Sequence, residues 1–160
     1  CMDGETETLE KNAFRFQGSF KIAEPPSKIH LSEIEKQGYL FFAGEITVEK
    51  EFELENTDYE LVFHKKGINA IRVYVNGRYV DTVLWNPTRL DISAYLVPGR
   101  NTVKLVLINN LRNLLGPHHL KEGESYAVAP RSFFKEPCIW NYNPEAEWDE
   151  RYCFVELSLL

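Results

Sequence analysis

Three cysteines, one methionine and nine glycines in 160 residues already exclude several kinds of protein. A disulfide scaffold needs a denser, even set of cysteines, and collagen-like or low-complexity chains need far more glycine and proline. No apolar run approaches the ~20 residues of a membrane-spanning helix; the longest are 39–43 and 105–108, so no membrane insertion is expected. Basic clusters are missing too. Lys65-Lys66 is the one adjacent basic pair, and 18 Lys+Arg against 24 Asp+Glu leave a net charge of −6. A nucleic-acid partner is not expected, because it needs a basic face that displaces counterions. Gly-Xaa-Ser-Xaa-Gly, His-Glu-Xaa-Xaa-His and Gly-rich phosphate loops are absent, so a self-contained enzyme is not expected. The opening Cys1-Met2-Asp3-Gly4-Glu5 has neither the basic nor the apolar region of a secretory signal. A chain starting Cys-Met reads as a domain excised from a longer polypeptide, and its compartment stays open.

What is present is a sizeable core. The chain is 44% hydrophobic, 13% aromatic and 26% charged, and a chain of this length buries roughly 70% of its unfolded surface. One domain over 1–160 is expected. In Gly44–Leu54, Ile46, Val48, Phe52 and Leu54 alternate with Glu45, Thr47, Glu49, Glu51 and Glu53, the period-two signature of a strand with one wet face. Asn76-Gly77 separates two β-rich runs, 70–75 and 78–84, and marks a type I′ hairpin. A plain two-residue loop sets Tyr74 opposite Tyr79, Val73 opposite Val80 and Arg72 opposite Asp81. Further strands are expected at 13–16, 19–22, 59–64, 102–109 and 152–157, with Leu105-Val106-Leu107-Ile108 apolar on both faces as a central strand is. Two helical turns are expected within 27–37 and one at 91–96. Short strands with turns about every ten residues predict an all-β antiparallel β-sandwich. The segment 109–151 breaks the rhythm, and long irregular loops in small domains usually carry function. Cys138 and Cys153 could bridge, or serve as free buried thiols.

The motifs Val75-Asn76-Gly77, Asp91-Ile92-Ser93 and Gly99-Arg100-Asn101 occur in that order within 44–110. This run resembles the galactose-binding-like jelly-roll domains that accompany glycoside hydrolases, including the sugar-binding domain of glycoside hydrolase family two. The stretch NNLRNLLGPHHLKEGE, 109–124, followed by Trp140, Trp148 and YCFVEL, 152–157, is similar to C-terminal β-sandwich domains of large bacterial glycoside hydrolases. The resemblance implies a non-catalytic module of a larger carbohydrate-active enzyme, with carbohydrate or its own catalytic domain as partner. It transfers no binding residue, because ligand contacts in that superfamily come from variable loops. Many of its members hold a structural calcium ion through backbone carbonyls, which leave no trace in sequence; Glu156 is the one side chain that could contribute. No other cofactor is implied.

Sugar recognition needs an aromatic face for the C–H side of a pyranose and polar groups beside it. Trp85, Trp140, Tyr142 and Trp148 are the aromatic candidates, against packing in the core or against a neighbouring domain. Arg112, Asn113, His118, His119 and Arg131 could meet hydroxyls or a carboxylate, or simply hold the loop to the sandwich. The adjacent histidines have no third ligand at zinc spacing, so no metal is expected. The acidic residues Glu145, Glu147, Asp149 and Glu150 read as a solvated loop, since a glycosidase pair also needs an apolar pocket to keep one acid protonated.

Overall fold

A computed structural model describes residues 1–24, 26–85, 88–124, 133 and 148–159. Their fold is all-β, of β-sandwich class, and every strand pairing is antiparallel. The chain divides into two compact units, residues 1–42 with 111–157 and residues 43–110 with 158–160.

The second unit carries a sheet in the order β3-β8-β5-β6, made of β3 (Gly44–Leu54), β8 (Gly99–Asn109), β5 (Ile68–Val75) and β6 (Arg78–Val83), together with the pair β4 (Glu60–Phe63) and β7 (Thr88–Asp91). The alternating strand β3 lies at an edge, its glutamates exposed, where they discourage pairing with another chain. β8 is central, with Leu105, Val106 and Leu107 all buried, as its two apolar faces require. Ile71, Val73 and Val75 are fully enclosed, each contributing roughly 1.5–3 kcal/mol by leaving water.

Asn76 and Gly77 have φ of 51° and 77°, the two left-handed residues of a type I′ turn. The register beyond it corrects the simple expectation: Tyr74 does face Tyr79, but Val73 faces Asp81 and Arg72 faces Thr82, with a shift between Val73 and Tyr74. One extra residue on β6 forms a bulge. Its effect is to set Val83 opposite Ile71, both of them buried.

The motifs that carry the resemblance form one hydrogen-bonded lock. Asn101, 1% exposed, accepts from the Val97 N–H (2.9 Å) and from Asn76 Nδ2 (2.8 Å) and donates to the carbonyls of Val97 (2.7 Å) and Gly99 (3.0 Å). Asn76 also donates to Tyr95 O (2.9 Å) and accepts from the Thr102 N–H (2.9 Å), while Asp91 accepts from the Ser93 N–H at 2.9 Å. These residues build turns.

The first unit is a sheet in the order β1-β2-β10-β9: β1 (Met2–Thr8), β2 (Ala13–Phe20), β10 (Trp148–Val155) and β9 (His118–Leu120). β1 has no apolar alternation, and it pairs through a turn whose Lys11 and Asn12 are left-handed. Gly4 faces Gly18 so closely that a Cβ on Gly4 would lie 2.6 Å from the Gly18 Cα. The expected helical turns within 27–37 shrink to a 3₁₀ turn, Ile34–Gln37, because Leu157 draws the chain out by accepting the Ile34 N–H at 2.9 Å. A single α-helical turn, α1 (Arg112–Leu115), follows the other unit's last strand. Phe14, Phe16, Leu40 and Phe154 form the apolar core.

Candidate functional site

Strand periodicity sorts the first unit's sheet into two chemically different faces. The register pairs Phe16 with Tyr152 and Phe14 with Phe154, and between them Arg15 with Cys153, which also faces His118. Paired residues share a face and neighbours alternate. One face is therefore aromatic and the other ionic.

The aromatic face continues as a strip. His119 stacks on Trp148 at 4.2 Å and 18° and meets Tyr152 at 4.2 Å; Tyr152 reaches Phe154 at 6.2 Å, Phe154 reaches Phe41 at 5.7 Å, and Phe41 meets Phe20 edge-on at 5.0 Å. Tyr152, Phe20 and Phe41 are 44%, 45% and 39% exposed. The His119 ring is fixed by Nδ1, 3.0 Å from the Asp149 carbonyl. A carbonyl only accepts, so Nδ1 carries the hydrogen and Nε2 is left as an acceptor. Phe154, between Tyr152 and Phe41, is 1% exposed and belongs to the core, so the accessible rings form two groups, Trp148–His119–Tyr152 and Phe20–Phe41, each offering flat apolar area at low entropic cost.

The ionic face is part-buried and internally paired: Glu7 and Arg151 keep 50% and 32% of their side chains exposed, while Arg15 keeps 8%. Arg151 grips Asp149 through two hydrogen bonds, at 2.9 and 2.8 Å, and pairs with Glu7 at 2.7 Å; the Arg151 guanidinium holds Asp149 far below the usual carboxylate range. Arg15 lies between the two acids, 3.2 Å from Asp149 and 3.4 Å from Glu7. Next to it, Arg112 Nε donates to Glu124 Oε1 at 3.0 Å and Nη2 donates to Oε2. Burial alone would raise the Glu124 pKa, but the contacts with His118 and Arg112 hold it down at about 2. The Cys153 thiol is free and buried; burial, reinforced by the Glu124 charge, raises it to about 11. That makes it unreactive.

A ring nitrogen of His118, a Glu124 oxygen and Cys153 Sγ lie within 4.8 Å of one another, so their fit to a metal ion can be tested. His118 Nδ1 accepts the Leu120 N–H at 3.2 Å, which places the neutral ring's hydrogen on Nε2, 3.6 Å from Glu124 Oε2. A metal-bound histidine needs the reverse, a free lone pair on the ligating nitrogen and a hydrogen on the other. Both Glu124 oxygens also serve Arg112. Glu124 is committed to the guanidinium, and the trio does not fit a cation site.

The residues singled out from sequence thus separate. His119 and Trp148 come together in the strip. Trp85, in the other unit, is 80% exposed. His118, fully enclosed, and Arg112 belong to the ion-pair cluster. Asn113, 2% exposed, spends its amide on Val155, donating to its carbonyl and accepting its N–H, both at 2.9 Å. Trp140, Tyr142, Arg131 and Cys138 lie outside the described residues. Sequence reasoning missed Tyr152, Phe20 and Phe41; alternation at 152 and 154 was the available signal for the first.

No family model matches this chain, and no curated protein matches it. Among solved structures it is similar to a rhamnosidase from Novosphingobium sp. PP1Y, with 19% identity and a TM-score of 0.49, over 93% of this chain and 15% of that one. A likeness this distant carries no argument about ligand or activity.

Proposed function

We propose that this chain is a non-catalytic carbohydrate-binding module of a glycoside hydrolase, with the galactose-binding-like jelly-roll topology that its turn motifs suggest. The observation that carries the reading is the Trp148–His119–Tyr152 stack on the sheet's aromatic face. Such a strip suits the C–H faces of successive sugar rings, with His119 Nε2 as an acceptor for a hydroxyl. Trp85 is proposed as a separate contact point. Shallow binding of this kind lies at about micromolar to millimolar Kd, or about −8 to −4 kcal/mol. The test is affinity electrophoresis through gels holding a panel of polysaccharides, with Tyr152→Ala and Trp85→Ala run alongside. Retardation by one polysaccharide, lost in Tyr152→Ala, is the expected result; retardation in no gel refutes the reading.

A second reading has its own observation. Leu111, Leu114 and Leu115, in and beside α1, are 52%, 45% and 68% exposed, an apolar patch that suits docking onto the catalytic domain of the same polypeptide. Leu115→Glu would then weaken co-purification with that domain and leave gel retardation unchanged.

A further inference from the structure

Asn76 is followed by Gly77, and no other asparagine in the chain precedes a glycine. That dipeptide carries a reaction of its own. A glycine has no Cβ to shield its main-chain nitrogen, so the nitrogen can attack Cγ of the preceding asparagine and close a five-membered succinimide. The new N–Cγ bond forms as the Cγ–Nδ2 bond breaks, and ammonia leaves. Water then opens the ring at one carbonyl or the other, giving aspartate or isoaspartate, and no further reactant is needed. Both residues are exposed, so water and hydroxide reach them.

What holds the reaction back is the side-chain lock of the second unit. Asn76 Nδ2 donates to Tyr95 O at 2.9 Å and to Asn101 Oδ1 at 2.8 Å, and Asn76 Oδ1 accepts the Thr102 N–H at 2.9 Å. The main chain is tied at the same place, the Asn76 N–H donating to Thr102 O at 2.9 Å. Ring closure also needs the Gly77 nitrogen nearly eclipsed with Cβ about the Asn76 Cα–C bond, and in a type I′ turn the two lie nearly opposite. Side chain and turn must therefore both leave their folded setting before the ring can close.

The product cannot rebuild the lock. A carboxylate has no hydrogen to give to Tyr95 O or Asn101 Oδ1. Asn101 cannot answer by turning its amide round, because its Nδ2 donates to the carbonyls of Val97 and Gly99 while its Oδ1 accepts the Val97 N–H. Isoaspartate does further damage, adding a methylene to the main chain inside a two-residue turn.

We propose that Asn76 is a site of spontaneous deamidation gated by the Asn101 lock. Closed, the lock keeps the amide intact; each opening exposes it to a reaction whose product holds the lock open. The site is independent of the carbohydrate reading and stands or falls alone.

The experiment incubates the full chain in mildly alkaline buffer, folded and in urea, and follows aspartate and isoaspartate at position 76 by peptide mass spectrometry. Only opened molecules react, so the rate at Asn76 is expected to be at least about tenfold lower in the folded chain than in urea. Asn101→Ala raises the folded-state rate at least about fivefold, the effect of losing one uncharged hydrogen bond. Phe63→Ala, buried on β4 and outside the lock, controls for general destabilisation when both variants are held equally far below their melting temperatures, and it stays near the wild-type rate. Asn76→Asp, which reproduces the product, melts below wild type at pH 7. The proposal is overturned if Asn76 does not react in urea, if folded wild type reacts as fast as the unfolded chain, if Asn101→Ala reacts no faster than Phe63→Ala, or if Asn76→Asp melts with wild type.

Discussion

The buried pair Arg112–Glu124 yields a prediction whose magnitude follows from the structure. The Glu124 carboxyl sits at about 2, against 4.5 for an ordinary glutamate, and its side chain is 19% exposed, so solvent screens it little. A carboxylate with a depressed folded-state pKa stabilises the fold above its unfolded pKa and loses that contribution as pH falls through the folded one. At about 1.4 kcal/mol per pH unit, the full contribution is about 3 kcal/mol. It is complete by pH 6, and about two thirds of it is gone by pH 3. Glu124→Gln removes the titration and leaves Arg112, 16% exposed, without its charge partner, a loss of about 3 kcal/mol at pH 7. Urea unfolding followed by circular dichroism at pH 7, 4.5 and 3 measures this. Asp149 also titrates low, but it does so in both proteins and cancels in the difference. The gap between wild type and variant should shrink from about 3 kcal/mol at pH 7 to about 1 kcal/mol at pH 3. A gap constant with pH would refute the assignment of Glu124 as the buried anion of this cluster.

Glu35 has the opposite sign: burial raises its pKa, with Glu156 adding to the rise and Lys36 opposing it, so its contribution is present below about pH 4.5 and fades as pH rises through the folded value. Glu35→Gln should therefore be more stable than wild type at pH 8 and no more stable at pH 4, as thermal melts at the two pH values would reveal. Asn101→Ala removes four hydrogen bonds, some of whose partners reach water; a loss of about 2–4 kcal/mol, seen as a lower urea midpoint, is expected, and a loss under ~0.5 kcal/mol would show the lock to be dispensable. Because both Glu124 oxygens already serve Arg112 and His118 Nε2 carries the ring hydrogen, zinc or a chelator should leave the melting temperature unchanged, and a zinc-dependent rise would contradict the hydrogen placement on His118.

How far the fold could be read depended on where local and tertiary forces agreed. In β3 the period-two pattern, the glutamate row and the edge position all act together, so the strand is legible residue by residue. At Asn76-Gly77 the turn chemistry is local and unambiguous, yet the register beyond it is not, because the bulge answers to a tertiary demand: Val83 must reach the face that holds Ile71. β1 has no apolar pattern at all and owes its existence to pairing with β2, through two facing glycines and a Lys-Asn turn that lacks the usual glycine. Residues 27–33 carry helical propensity but lie next to a turn whose first N–H is taken by Leu157, a contact 123 positions away that no local window contains.

The candidate site was harder to read for a physical reason that separates motif from function. The asparagines and aspartate that make the 44–110 run recognisable are consumed in turn hydrogen bonds, so they would recur in any domain that folds this way, whatever it binds. The strip, by contrast, is assembled from Phe20, Phe41, His119, Trp148 and Tyr152, on β2, a loop, β9 and β10. Each is an ordinary aromatic in its own stretch of sequence, and only the antiparallel pairing of β10 with β2 and β9 gives them a common face. The same pairing decides between the two adjacent histidines. His118 points into the ionic face and is spent there, while His119, one residue on, points the other way and joins Trp148. Side-chain chemistry could nominate both, and strand parity alone puts one on the ionic face and the other on the aromatic one.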